Sequence, residues 1–346
     1  MTFRLAVILL AWLCTACSSP PEDIHETRFM MGTLVKFTIS DVPRAKAMEA
    51  IRAATGAMQR VSDEFTIYGD VHNAVKRFNA SPPDTPVQLP KEIAALLKES
   101  LRISRQSHGS FTPVIGTLSL LWGFSLPDPP HKPPAPAAIR KALAGVHDAD
   151  IRRTPRGWAR LNPETRLDFG GIAKGYAIDR GVEALQQHGI ANAILDAGGD
   201  LRVLGSHHGK PWRIGIRHPR DPEKVLGWLA IKGDKSIVTS GDYERFFIYH
   251  GRRYHHILNP GTGRPARLSM STTVIAPDAT RADAWSTALF VMGAQGLPLI
   301  RRHGMQAILM DADGHLHLQL TGTRFHSDLP KADTASRRFV QQKHSI

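Results

Sequence analysis

Residues 167–204 read LDFGGIAKGYAIDRGVEALQQHGIANAILDAGGDLRVL. Residues 172–188 have the length and composition of a helix, and Gly189 stops it, since a residue without a Cβ accepts the left-handed backbone that closes a last turn. Residues 193–195 and 201–204 are short β-rich runs on either side of Gly198-Gly199, the pattern of two strands joined by a tight turn. A helix followed by strands in adjacent runs is not the βαβ alternation of a parallel sheet. The stretch therefore predicts an α+β fold with mixed, largely antiparallel sheets and packed helices.

The flanking sequence supports that class. Val35, Phe37 and Ile39 alternate with polar residues, as in a half-buried strand. Asp41 and Pro43 then open a helix with Ala47, Ile51, Ala54, Met58 and Val61 on one stripe. A second helix starts at Pro90, buries Ile93, Leu97, Leu101 and Ser104, and ends by His108-Gly109. Further strands are expected at 212–216, 225–231 and 246–249, a helix at 281–292, and a hairpin of 307–310 with 315–320. The turn of that hairpin, Asp311-Ala312-Asp313-Gly314, lacks the later glutamate of a calcium loop. Residues 127–136 contain six prolines and predict a stiff surface excursion.

The chain has 346 residues, 42% of them apolar, which supports a large core and excludes a disordered chain. Its net charge of +13 points to anionic partners. The basic residues are scattered and no zinc-finger, helix-turn-helix or aromatic-basic motif occurs, so no nucleic-acid role is expected. Residues 1–16 combine Arg4, an apolar run and the small pair Thr15-Ala16, the layout of a signal peptide. Cys17 directly after that pair is a lipidation candidate, which would anchor the protein to a membrane without spanning it. Residues 17–27 are then a tether, 28–322 the folded domain and 323–346 a basic tail. Cys14 and Cys17 are the only cysteines, so processing leaves no intrachain disulfide and no thiolate metal site.

Four segments carry chemistry. Glycines 170 and 171 enter a helix, where backbone can approach a ligand closely and the N-terminus favours an anion. Asp168 beside them is a candidate acceptor toward a base or ribose, and Lys174 a candidate phosphate contact, against the plainer reading of a strand-to-helix turn with a surface lysine. Thr239-Ser240-Gly241-Asp242-Tyr243 is dense in polar groups and also fits an ordinary β-turn. His255 and His256 point to opposite faces if extended, so only one of them faces a site, where it can accept a proton. Asp283 and Thr287 stand at i and i+4 on a helix, and a carboxylate with a hydroxyl suits Mg²⁺. The structural alternative is a helix-terminal acid with a threonine bonded back into its own helix.

Taken together and in order, these motifs resemble the FAD:protein FMN transferase (ApbE-like) family. Met31-Gly32-Thr33, residues 167–176 with Asp179, Ala197-Gly198-Gly199-Asp200, residues 239–243, 256–265 and 282–287 match its motifs, over roughly residues 28–320. The resemblance implies an ApbE-like, T-fold-related architecture and a Mg²⁺-dependent enzyme that cleaves the FAD pyrophosphate. Such an enzyme releases AMP and joins FMN by a phosphoester to a Thr or Ser of an acceptor protein, expected to be a membrane redox subunit with a short flavinylation motif. By motif position, Asp283, Thr287 and the backbone carbonyl of Gly171 would hold the metal. Met31, Asn79, Ser110, Phe111, Thr112, Asp168, Lys174 and His256 would touch FAD, with His256 and Asp283 as the catalytic pair. The implied location is the periplasmic side of a membrane, the inner one favoured, held by lipid on Cys17.

One region departs from the family. Its usual Gly-x-Phe-Asp-x-Thr reads Gly109-Ser110-Phe111-Thr112-Pro113-Val114, so a carboxylate acceptor is missing at Thr112. Two other readings use part of the motif set: a Mg²⁺-dependent FAD pyrophosphatase giving FMN and AMP, and a non-catalytic periplasmic flavin-binding protein.

Overall fold

A computed structural model describes residues 22–327; the expected signal peptide and Cys17 lie outside the described residues. Its centre is an eight-stranded sheet, antiparallel at every pairing. Across the sheet the strands run Ile24–Met30, Thr33–Ile39, Ala193–Ala197, Asp200–Leu204, Lys235–Gly241, Ser269–Ala276, Gln306–Asp311 and Leu316–Gln319.

Both faces of this sheet are covered, and the period-two alternation of its strands shows how. Val238, Val274, Ala307 and Leu309 point into a core shared with the helices Arg44–Phe65, Ala173–Gln187 and Ala279–Met292. Their neighbours Ile237, Ile275, Ile308 and Met310 point into a second core, closed by a three-stranded sheet of Trp212–Arg217, Val225–Ile231 and Phe325–Ser327. A slip of one residue in any central strand would exchange the two cores, so burial fixes the register. The α+β class is thus realised as helices on one face and a small sheet on the other.

The expected elements are present with shifted ends. The late helix starts at Ala279, two positions ahead of 281, because the Asp278 side chain accepts from the Arg281 N–H at 2.8 Å and caps it. Thr239-Ser240-Gly241 is the end of a strand rather than a turn. The tether is shorter than 17–27, since strand Ile24–Met30 begins inside that span. The tail also begins later than 323. Phe325–Ser327 pairs with Val225–Ile231, and the His326 ring stacks on Trp228 at 3.8 Å. Gly227 permits this close approach, because a Cβ there would run into the His326 carbonyl.

Pro127 to Ala135 has no regular structure, and Pro136 opens a short helix, Pro136–Leu143, where its missing N–H costs nothing. Just before the excursion, Trp122 and Phe124 stack at 5.7 Å and join Phe247 and Tyr254 in an aromatic cluster. The Trp122 indole N–H donates to the Gly263 carbonyl at 2.8 Å. This cluster ties the first half of the chain to the loop that follows His256. Among the described residues no helix is long and apolar enough to cross a membrane.

Candidate active site

The site forms where the helix Ala173–Gln187 crosses the helix Ala279–Met292. The crossing is close because Gly175 has no side chain: a Cβ there would collide with the Ala279 carbonyl and come within 2.8 Å of the Asp283 Cβ. Gly175 N–H instead donates to Asp283 Oδ2 at 2.9 Å. Asp179, one turn further along, accepts from Ala279 N and Thr280 N at 2.9 Å each and from Arg202 at 2.6 Å. A carboxylate thus sits at the N-terminal end of the late helix, where the helix dipole favours it. This joint sets the angle at which Asp283 and Thr287 are presented.

Asp283 is buried one turn inside its helix, so it is no helix-terminal acid. Burial, with Asp200 nearby, pushes its carboxyl up to about 7, against the opposing pull of Lys174 and the Gly175 N–H. Thr287 does not bond back into its helix. It is Ser286 whose hydroxyl returns to the Asp283 carbonyl at 2.9 Å, while Ser240 Oγ lies 2.8 Å from Ser286 Oγ and 3.5 Å from Thr287 Oγ1. A Cβ on Gly171 would stand 3.3 Å from Thr287 Oγ1 and 3.3 Å from the Phe111 ring. Gly171, Phe111 and Thr287 therefore line one corner, with Asp283 one turn back from Thr287 on the same helix.

Lys174 forms an ion pair with Asp200, whose other oxygen accepts from Thr239 N at 2.9 Å. Burial works against the lysine's charge, yet Asp200 and Asp283 together hold its pKa above the ordinary value. Asp200 belongs to the glycine turn after Ala193–Ala197. A Cβ on Gly198, at φ 68°, would run into the Thr33 hydroxyl, so this turn and the Met31-Gly32 hairpin turn interlock. Met31 itself takes φ 52° and Gly32 φ 71°, as a two-residue hairpin turn requires.

The strand Arg252–His255 ends between the two histidines, and their ring nitrogens have different surroundings. His255 is buried with Nε2 at 2.8 Å from the Ala266 carbonyl, a structural bond. His256 Nδ1 is buried without a partner, and burial, with the cations Arg245 and Lys174 nearby, pushes its pKa well below the ordinary histidine value. A neutral imidazole with a free buried nitrogen is the form a proton acceptor needs.

Other expected contacts are spent on the scaffold. Asn79 donates to Leu167 O at 2.8 Å and accepts from Leu167 N at 2.7 Å, so its amide holds the irregular segment leading into Asp168. Asp168 Oδ1 accepts from Gly170 N at 2.9 Å and shapes the turn before Gly171. The Thr112 hydroxyl lies 2.6 Å from Asp148 Oδ1 and also accepts from Val114 N at 3.0 Å. Ser110 is half-buried, with its N–H on the Ser107 carbonyl at 3.1 Å. Sequence reasoning did not single out Asp200 as the partner of Lys174, Ser240 as the neighbour of Thr287, or Arg245 beside His256. Their motifs carried the signal, but not the pairing.

A buried carboxylate, a hydroxyl and a glycine turn thus meet beside a paired lysine on an antiparallel α+β scaffold. The sequence profile described as "ApbE family" matches residues 31–309, and the chain belongs to that family. It is 32% identical over 319 residues to the FAD:protein FMN transferase of Rhodobacter capsulatus, covering 90% of this chain but 60% of that longer protein. With the Klebsiella pneumoniae FAD:protein FMN transferase it shares 30% identity over 329 residues, 91% of this chain and 94% of the relative. Among solved structures, the ApbE protein of Thermotoga maritima superposes with a TM-score of 0.77 at 32% identity, covering 86% of this chain and 97% of that one. The flavin transferase ApbE of Vibrio cholerae gives 0.72 at 27% identity, covering 88% and 97%.

Proposed function

We propose that this protein transfers FMN from FAD to a Ser or Thr hydroxyl of an acceptor protein and releases AMP. The observation that carries the reading is the buried Asp283 carboxylate, held by Gly175 beside the Lys174–Asp200 pair, with the Thr287 hydroxyl turned toward Gly171. Asp283, Thr287 and the Gly171 carbonyl would together supply an all-oxygen donor set of the kind Mg²⁺ takes. A divalent ion held by these residues would supply positive charge against the pyrophosphate and the departing AMP. Lys174 adds positive charge at the same phosphates. His256 Nδ1 takes the proton of the acceptor hydroxyl as its oxygen bonds to the FMN phosphorus and the bond between the phosphates breaks.

The test is incubation with FAD, Mg²⁺ and an acceptor fragment, read by intact mass. An added FMN mass that is lost in Asp283→Ala supports transfer. FMN and AMP formed at the same rate without acceptor would instead establish the pyrophosphatase, and retention of FAD without turnover the binding protein.

The N-terminal pattern adds an address. Cys17 carries lipid that holds the enzyme on the periplasmic side of the inner membrane, near membrane redox subunits as acceptors. Cells expressing the Cys17→Ala chain should release it into the soluble periplasmic fraction. Unchanged membrane retention of that variant would refute the anchor.

A further inference from the structure

We propose that Asp23, His207 and His208 form a second divalent-cation site, of the Zn²⁺ class, built from residues the active site does not use. Asp23 lies one position before the first strand, and the histidines follow the strand Asp200–Leu204. Adjacent residues of a strand point to opposite faces. Here the chain turns, with His207 and Lys210 exchanging backbone bonds of 2.8 and 2.9 Å and His208 at φ 48°, so both imidazoles reach one carboxylate. His207 Nε2 lies 2.7 Å from Asp23 Oδ2 and His208 Nε2 lies 3.2 Å from Asp23 Oδ1. One ligand atom from each of the three residues falls within 4.8 Å of the others, and tetrahedral zinc with bonds of about 2.1 Å needs its ligands roughly 3.4 Å apart.

Proton counting favours a cation. A neutral imidazole carries a single N–H. His208 faces a carboxylate oxygen at each nitrogen, with Nδ1 at 2.8 Å from Asp41 Oδ1 and Nε2 turned to Asp23. The Asn192 amide fixes the other Asp41 oxygen at 2.7 Å. With the proton on Nδ1 toward Asp41, the Nε2 lone pair faces Asp23 Oδ1, an oxygen that the Ser40 hydroxyl approaches from another side, and a positive charge between nitrogen and oxygen resolves the contact. A carboxylate on the far nitrogen of a histidine is the arrangement that orients metal-ligating imidazoles. Two nitrogens and a carboxylate suit zinc better than magnesium, and His207 is open enough for water to complete the set, with 42% of its side chain exposed. A filled site would staple the start of the first strand to the turn at His207.

The test is Zn²⁺ titration of the metal-stripped full chain, read by competition with a chromophoric chelator, in excess Mg²⁺ to occupy the active-site oxygens. One Zn²⁺ per chain is expected. Its affinity should fall at least tenfold in His208→Gln and about tenfold in Asp41→Asn, which touches only the orienting carboxylate; Asp283→Ala should leave it unchanged. Melting of the metal-free variants checks their folding, and if His208→Gln is unfolded the milder Asp41→Asn decides. Equal Zn²⁺ affinity in wild type and the folded variants would overturn the proposal. So would absence of binding together with nitrogen chemical shifts of an imidazolium at His208.

Discussion

Replacing Asp283 by Asn should make the metal-free protein more stable at alkaline pH while abolishing its activity. In the fold the Asp283 carboxyl titrates at about 7, against 3.8 for an unperturbed group. Because the folded value is the higher one, the folded state binds the proton more tightly, and stability falls as pH rises from about 4 to 7. Above 7 the loss is complete. The difference corresponds to about 4 kcal/mol as an upper bound, and rearrangement around Lys174 brings the expected value to roughly 2–4 kcal/mol. An asparagine keeps an oxygen for the Gly175 N–H and carries no charge to bury. Chelated wild type and Asp283→Asn should therefore melt within a degree or two of each other at pH 5. At pH 8 the variant should melt higher by about 4 °C or more. Mg²⁺ should raise the wild-type melting temperature and leave that of the variant unchanged. A difference between the proteins that is the same at pH 5 and pH 8 would refute the reasoning, since it would show that the carboxyl is not buried without its cation.

The neighbouring residues give sharper structural tests. Gly175→Ala drives a methyl into the Ala279 carbonyl and should cost about 3 kcal/mol or more, seen as a lowered melting temperature together with lost Mg²⁺ stabilisation. Lys174→Met leaves Asp200 buried without its partner and should destabilise by about 3 kcal/mol, measured by urea denaturation, besides removing transfer. His256→Ala should lower the transfer rate by about 10²–10⁴ while FAD binding, followed by flavin fluorescence, persists. Since its folded pKa lies well below the ordinary value, the wild-type rate should show no loss from His256 protonation across pH 6–8. Asn79→Ala removes both bonds to Leu167 and should cost about 2 kcal/mol, with weaker FAD binding as the turn at Asp168 loosens.

What the sequence disclosed was governed by range. The helix after Gly171 and the turn at Gly198-Gly199 follow from local rules, and both are where the residues place them. The i, i+4 spacing of Asp283 and Thr287 put their oxygens on one helix face. The spacing alone does not disclose their neighbours, because Gly171 and Ser240 come from far along the chain. Lys174 looked like a free phosphate contact for the same reason: its partner Asp200 arrives through the antiparallel sheet. Asn79 and Thr112 matched ligand-binding positions, but an amide that can copy a backbone pair is as well used on Leu167 as on a flavin. Phe325–Ser327 is polar enough to fray alone and is held by Trp228 on a strand distant in sequence, a contact no local rule discloses.

Charge bookkeeping explains why such a costly corner persists. Asp200 and Asp283 are buried acids served by one lysine, so the ionised site has a net charge of about −1 in surroundings of low dielectric. Burial, and then the Asp200 charge, favour the protonated form of Asp283, which is what its raised carboxyl expresses. Under the proposed function, a divalent ion would reverse the sign of the corner to about +1 and would leave it attractive to a pyrophosphate. The Thr112 departure fits the same economy. Its hydroxyl leads to Asp148, so a carboxylate is still present at that edge of the fold, one hydrogen bond back from Phe111 and the Gly171 turn. Restoring an acid by Thr112→Asp would set two carboxylates against each other there. The physical expectation is a loss of stability that grows as pH rises through the carboxylate range, rather than a gain in flavin affinity.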